Sequence, residues 1–301
     1  MFLQKLRMSW RDRLRATGRG DRYSPGRGLV EHALTRVYAG DWPGRLWARV
    51  PGAAVLARIE HRLALLRPGS APLRIGFASD LHLGPTTASS VLDAAFAHLA
   101  DAALDVLLLG GDYVYLAATR ARTDELRERV AALRIPTKLA VLGNHDLWTT
   151  HPDIERALEA AGARVLVNAN VRLPDPFGDI AIVGLDEPWT GTPDAAAALR
   201  GTEDAALRIG LCHSPDGVHY LAGRGVALLL AGHTHGGQIA LPGPRPIVLP
   251  PGPYSQRYAW GRHEIEGMTL IVSRGVGTTE LPIRAWAQPD VIVVELCAGA
   301  G

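Results

Sequence analysis

Five short apolar runs in this chain stop abruptly at loops that carry Asp, Asn or His. Residues 73–79 run into Asp80-Leu81-His82, residues 105–109 into Gly110-Gly111-Asp112, and residues 138–142 into Gly143-Asn144-His145-Asp146. Residues 207–212 run into His213-Ser214, and residues 226–231 into Gly232-His233-Thr234-His235. Runs of this length and apolarity predict strands buried on both faces. Amphipathic segments at 86–100, 123–133 and 152–161 separate the first ones and predict βαβ units. Farther on, strands are predicted at 164–167, 180–185, 238–241, 268–273 and 291–296. Helix signals there thin out to 192–199 and 215–221. This pattern implies an α/β chain with a mixed sheet, or two sheets packed together with helices outside.

The chain has 301 residues, enough for one large domain or two small ones. No stretch approaches the roughly 18–20 consecutive apolar residues of a membrane span. Two cysteines, Cys212 and Cys297, cannot build a disulfide framework or a Cys-rich zinc site. The formal charge of +2 hides an asymmetry. Residues 1–70 hold thirteen Arg and one Lys against five Asp or Glu, so the remaining 231 residues are net acidic. Residues 20–52 are rich in Gly, Pro and Arg. Residues 53–66 have helical periodicity, with Val55, Leu56, Ile59, Leu63 and Leu66 on one side, and Pro68-Gly69-Ser70 closes the segment. The expected organisation is a basic N-terminal extension, 1–70, containing an amphipathic helix near 53–66, followed by a catalytic domain, 71–301.

Open α/β sheets bind ligands beyond the carboxyl ends of their strands. Five strand-end loops thus deliver carboxylate, imidazole and amide oxygen to one sheet edge. Such N/O donors, with no thiolate, suit two divalent ions, Mn first, with Fe, Zn or Co as alternatives. Asp112 has two oxygens and can bridge ions about 3.5–4 Å apart. Asp80, His82 and His235 would complete one ion, and Asn144, His213 and His233 the other. Such a pair polarises a phosphoryl group and lowers the pKa of a bridging water. His145 follows a ligand and can face the leaving oxygen. Asp146 either orients a ligand or caps the coming turn. Each motif alone is common; five in this order, each after an apolar strand, are not.

The order D-x-H, G-D-x-V, G-N-H-D, H and G-H-x-H resembles the calcineurin-like metallophosphoesterase superfamily. Here it reads Asp80/His82, Gly111-Asp112-Tyr113-Val114, Gly143-Asn144-His145-Asp146, His213 and Gly232-His233-Thr234-His235. The text after it, GHTHGGQIAL from Gly232, Ser273-Arg274-Gly275-Val276-Gly277 and Leu281-Pro282-Ile283-Arg284, is similar to a bacterial branch of phosphodiesterases. It is also similar to enzymes that split UDP-2,3-diacylglucosamine. The resemblance implies a four-layer αββα sandwich of two mixed sheets, a dimetal centre at the sheet edges, and attack by a metal-bridging hydroxide on a phosphodiester or pyrophosphate. A phosphomonoesterase would use the same residues. Intact Asp112, Asn144 and His145 argue against a non-catalytic scaffold. Arg274 and Arg284 are candidate phosphate-binding residues, and Ser214 and Thr234 could support neighbouring ligands.

Relatives in this branch often begin with a twin-arginine signal or a transmembrane helix, whereas this chain begins with a basic segment carrying Trp10, Trp42 and Trp47. Nothing in it resembles a secretory signal, so a cytoplasmic location is expected, with contact at the inner face of the membrane. The segment either lies on an anionic membrane surface or packs on the acidic body of the protein. Arginine without a nucleic-acid-binding fold predicts no specific nucleic-acid partner.

Overall fold

The structure, a computed structural model, describes residues 25–53 and 55–299. The features read from residues 1–24, Trp10 among them, lie outside these. Two helices open the described chain, α1 (Pro25–Val37) and α2 (Trp42–Trp47), followed by the strand β1 (Ala57–Leu66). Four parallel strands come next: β2 (Leu73–Ala78), β3 (Val106–Leu109), β4 (Thr137–Ala140) and β5 (Ala163–Val165). They are joined through α3 (Ser89–Ala100), α4 (Arg120–Ala132), and the pair α5 (Asn144–Leu147) and α6 (His151–Ala160).

A second sheet uses β6 (Ala169–Arg172), β7 (Ile180–Gly184), β8 (Leu207–Leu211), β9 (Leu228–Ala231), β12 (Gly261–Ile265) and β13 (Met268–Val272). Its order is β12-β13-β9-β8-β7-β6, parallel in the middle and antiparallel at both edges. Helices α7 (Ala195–Leu199) and α8 (Val218–Leu221), the small hairpin β10 (Ala240–Leu241) and β11 (Arg245–Pro246), and α9 (Pro253–Arg257) connect its strands. The last strand, β14 (Asp290–Ala298), returns to the first sheet, whose order is β1-β14-β2-β3-β4-β5.

The all-apolar strands follow from burial on both faces. Successive side chains of a strand point to opposite sides. In β3, Val106 and Leu108 enter the core between the sheets, with Phe77, Ile182, Ile209 and Ile271. Leu107 and Leu109 turn outward under Phe96, Leu126 and Leu158 of the helices. On the far side, Ala198, Val218 and Leu221 cover Val183, Leu229 and Leu270. Each such side chain contributes roughly 1.5–3 kcal/mol when fully buried. The result is the expected four-layer sandwich of helices, two mixed sheets and helices.

One expectation fails. Of the helix expected at 53–66, residues 55–66 show none; residues 57–66 are strand β1, paired in parallel with β14 from Ala57↔Asp290 to Leu66↔Ala298. Exposed Arg58, Glu60 and Arg62 alternate with the more buried Ile59, His61 and Leu63. The period of two is in the sequence, but so is a helical spacing of the apolar residues. The free edge of β14, more than 220 residues away, selects the strand. The sandwich therefore begins at β1, before residue 71. Among the described residues no helix is long and apolar enough to cross a membrane.

Candidate metal centre

The carboxyl ends of β2, β3 and β4 in one sheet meet those of β8 and β9 in the other. All seven expected ligands gather there, and six of them are carboxylates or imidazoles that fall into two sets. Asp80, His82 and His235 form one, and Asp112, His213 and His233 the other. His82 Nε2 lies 3.1 Å from His235 Nε2, and His235 Nε2 lies 3.4 Å from Asp80 Oδ1. His213 Nε2 lies 3.1 Å from His233 Nδ1 and 3.2 Å from Asn144 Oδ1. Asp112 Oδ2 stands between the sets, 3.6 Å from His82 Nε2 and 3.3 Å from His213 Nε2. Donors sharing an ion at about 2.1 Å are separated by roughly 3.0–3.4 Å in octahedral to tetrahedral arrangements. Most of these distances fall in that range; His82 stands somewhat farther off, 3.6 Å from Asp112 Oδ2 and 3.9 Å from Asp80 Oδ1.

Hydrogen bonding makes the same case. Gly110 O can only accept, so His213 Nδ1, 2.8 Å away, carries the proton. Neutral His213 then presents a lone pair at Nε2 to the lone pairs of Asp112 and Asn144. Burial pulls the pKa of His213 down, but Asp112, Asp80 and Glu187 overcome this and raise it to about 10. The field at Nε2 demands positive charge, which a proton or a cation supplies. Asp80 Oδ2 accepts from Ser79 Oγ at 2.6 Å and His233 N at 3.0 Å, while buried Asp80 Oδ1 has no hydrogen-bond partner among the described residues. Burial lowers His82 to about 4, and burial together with His213 lowers His233 to about 3. Both are neutral donors at neutral pH. The residues present thus fit two divalent cations.

The loops are shaped for this convergence. Asp80, His82, Asp112, His233 and His235 all have positive φ, between 44° and 72°. Left-handed backbone costs a non-glycine residue roughly 1–2 kcal/mol, and such strain clusters at functional sites. Two glycines make room: a Cβ on Gly143 would overlap Asp112 Oδ1, and one on Gly232 would overlap Ser79 Oγ and Asp80 Oδ2. Asp146 organises the Asp112 loop. Its Oδ2 accepts from Asp112 N at 2.7 Å and Gly143 N at 3.0 Å. Its Oδ1 accepts from Tyr113 N at 2.9 Å and Val114 N at 3.4 Å. Both readings of Asp146 hold: it caps the short helix α5 through Gly143 N and orients the loop of Asp112.

His145 sits half-buried at the rim. Its backbone N–H donates to Asp112 Oδ1 at 2.8 Å, and its ring lies edge-on to His82 and Trp148 at 5.0 and 4.9 Å. Burial holds its pKa well below the usual imidazole range.

The two arginines have other tasks. Arg284 is turned inward and donates to the carbonyls of Gly277, Ala287, His235, Arg274 and Gly275, between 2.5 and 3.3 Å. It bolts the 274–287 loop against His235 and has no donor left for a phosphate. Arg274 stacks on Trp260 at 4.2 Å and faces Asp290 at 3.7 Å. It lines a cavity of about 530 Å³ with Arg284, Trp47, Val55 and Trp286. A guanidinium offers the same donors to carbonyl groups as to phosphate, and Arg284 uses its own on carbonyls, whereas Arg274 Nε has no hydrogen-bond partner among the described residues. Ser214 and Thr234 also bond away from the centre, to Asp216 and to Ala259 O.

Other residues were missed. Glu187 follows the apolar strand β7, as the ligand loops follow theirs, so the same rule could have found it. It is fully buried near His213; its Oε2 holds Trp189 N, Thr190 N and Thr190 Oγ1, while Oε1 has no partner. Trp148 and Trp189, 5.3 Å apart, bridge from His145 to His233. No local pattern marks them.

A model of the family described as calcineurin-like phosphoesterase matches residues 73–237, the stretch that supplies every residue of the centre. The chain is 30% identical over 255 residues to the uncharacterized metallophosphoesterase YkuE of Bacillus subtilis, covering 83% of this chain and 88% of that one. It is 31% identical over 245 residues to the phosphodiesterase YaeI of Escherichia coli, covering 79% and 87%. It is 25% identical over 264 residues to the UDP-2,3-diacylglucosamine pyrophosphatase LpxG of Chlamydia muridarum, covering 71% and 79%. The chain belongs to the calcineurin-like phosphoesterase family and is a phosphoester hydrolase.

Proposed function

We propose that this hydrolase is a two-metal phosphodiesterase or pyrophosphatase. The observation that carries the reading is Asp112 Oδ2, shared between two sets of donors contributed by two different sheets. Asp80, His82 and His235 would hold one ion, and Asn144, His213 and His233 the other, with Asp112 common to both. Two divalent cations, Mn first and Fe, Zn or Co as alternatives, supply Lewis acidity and a water of lowered pKa when bound. The protein's own part is positional. Gly110 O fixes the ring of His213, Ser79 and the His233 amide fix Asp80, and Asp146 fixes the loop of Asp112. His145 meets the substrate as a neutral imidazole, and its ring N–H stabilises charge on the leaving oxygen.

The likeness to YaeI and LpxG supports a diester or pyrophosphate substrate, and that to LpxG a lipid-linked one of the UDP-2,3-diacylglucosamine type. The arginine-rich residues 1–70 support work at the cytoplasmic face of the membrane. The test is hydrolysis of bis(p-nitrophenyl) phosphate and p-nitrophenyl phosphate by Mn²⁺-loaded protein, with metal content measured alongside. The diester should be cleaved well above the monoester, with about two ions bound per chain. Asn144→Ala or His145→Ala should lower turnover by about 10²-fold or more. Monoester preference would make the protein a phosphomonoesterase; full activity in both variants would remove the proposed site.

A further inference from the structure

Helix α1 is inside out. Arg27, Glu31, Leu34 and Tyr38 follow the helical repeat and face the protein. Arg27 pairs with Glu31 at 2.8 Å and Glu280 at 2.5 Å and lies over the ring of Trp148 at 5.0 Å. Tyr38 Oη donates to Glu280 O, and Tyr115 Oη to Glu280 Oε2, both at 2.7 Å. Trp148 and Tyr115 in turn flank His145. The charged side of α1 is thus clamped to the rim of the metal centre. Its apolar side, Leu29, Val30, Ala33 and Val37, faces outward, with Leu29 72%, Val37 60% and Val30 47% exposed. An amphipathic helix on a globular protein ordinarily has the opposite polarity.

The apolar stripe continues. Exposed Trp42 packs on Tyr38 and donates to Val37 O at 2.8 Å, and exposed Leu46 follows in α2. Arg36, Arg45 and Arg49 border it, exposed, and among the described residues none of them is in an ion pair. The carboxylates of these helices are committed elsewhere, Asp41 to Arg122 and Glu31 to Arg27. A 13-residue helix is about 20 Å long, too short to span a bilayer core of about 30 Å. It is suited to lie in the interface, its apolar stripe among acyl chains and its cations at anionic headgroups.

We propose that residues 29–49 dock the protein on an anionic lipid bilayer, with the rim of the metal centre held beside the headgroups. The proposal gives the membrane contact of the functional reading a defined surface. Its deciding readout is vesicle binding, so the two can fail separately.

The experiment is sedimentation of the full chain with vesicles of phosphatidylglycerol and phosphatidylcholine, and with phosphatidylcholine alone. Wild type should pellet with the anionic vesicles only. The triple variant L29Q/V30Q/V37Q should lose at least about tenfold in partitioning. Its melting temperature and its hydrolysis of a soluble chromogenic diester should be unchanged. Should that variant fold poorly, R36E/R49E decides, because it removes the cations and leaves the helix face intact; it should lose anionic binding as well. Wild type remaining in the supernatant would overturn the proposal. So would variants that pellet like wild type, or a wild-type dimer that the triple variant turns into a monomer.

Discussion

Replacing Asp146 by Asn tests whether the loop that carries Asp112 is held from behind. The side chain keeps its shape, but an NH₂ group takes the place of one oxygen. Both oxygens are occupied, each by two backbone N–H groups. In the less costly orientation the NH₂ faces Tyr113 N and Val114 N, whose bonds are the longer pair at 2.9 and 3.4 Å. Two buried donors then have no acceptor. Each costs about 1–3 kcal/mol, so Asp146→Asn should destabilise by about 2–6 kcal/mol. That is a large share of the roughly 5–15 kcal/mol a domain has in total. Asp112 sits on the strained turn these bonds hold, with φ of 55°, so its carboxylate should drift and metal retention should fall. Urea denaturation of metal-free protein reads the first effect, and metal content after gel filtration the second. An unchanged denaturation midpoint together with full metal content would refute the clamp.

Three further outcomes are expected. Gly232→Ala should destabilise by about 1–3 kcal/mol and weaken metal binding on the Asp80 side, since a Cβ there overlaps Ser79 and Asp80; a wild-type melting temperature would contradict this. Stability and metal retention should decline as pH falls below about 6.5, the pKa of unfolded histidine. His82 and His233 have folded pKa values of about 4 and about 3, so their contribution is complete above 6.5 and lost as pH falls toward those values. Asp80 and Asp146, raised mainly by burial to about 6 and about 7, take up protons in the folded state over the same range and offset part of the stability loss, so metal content is the sharper readout. Metal content unchanged between pH 7 and 4 would refute the prediction. Finally, a chain beginning at residue 71 should aggregate, because it loses β1 and bares the edge of β14; a soluble monomer with wild-type melting would show that β1 is dispensable.

The candidate metal ligands were legible in the sequence because both signals that mark them are local. An apolar run long enough for a strand, followed at once by Asp, Asn or His, needs no knowledge of the rest of the chain. Parallel strands then bring those ends together by topology alone, as they do for Asp80, Asp112 and Asn144. The tertiary structure alone decided what depends on distant partners. Residues 57–66 carry both a strand-like and a helix-like spacing, and only pairing with residues 290–298 resolves it. Arg284 has the donors of a phosphate ligand, and only the carbonyl groups around it assign it to the 274–287 loop. The polarity of α1 is set by where Glu280 and Trp148 stand, which nothing within residues 25–37 encodes. Asp112 becomes a candidate bridge because His82 and His213, from opposite sheets, come within 3.6 and 3.3 Å of one oxygen atom. Sequence specifies residue types and short-range periodicity; the packing of one sheet on the other determines which of those residues share a point in space.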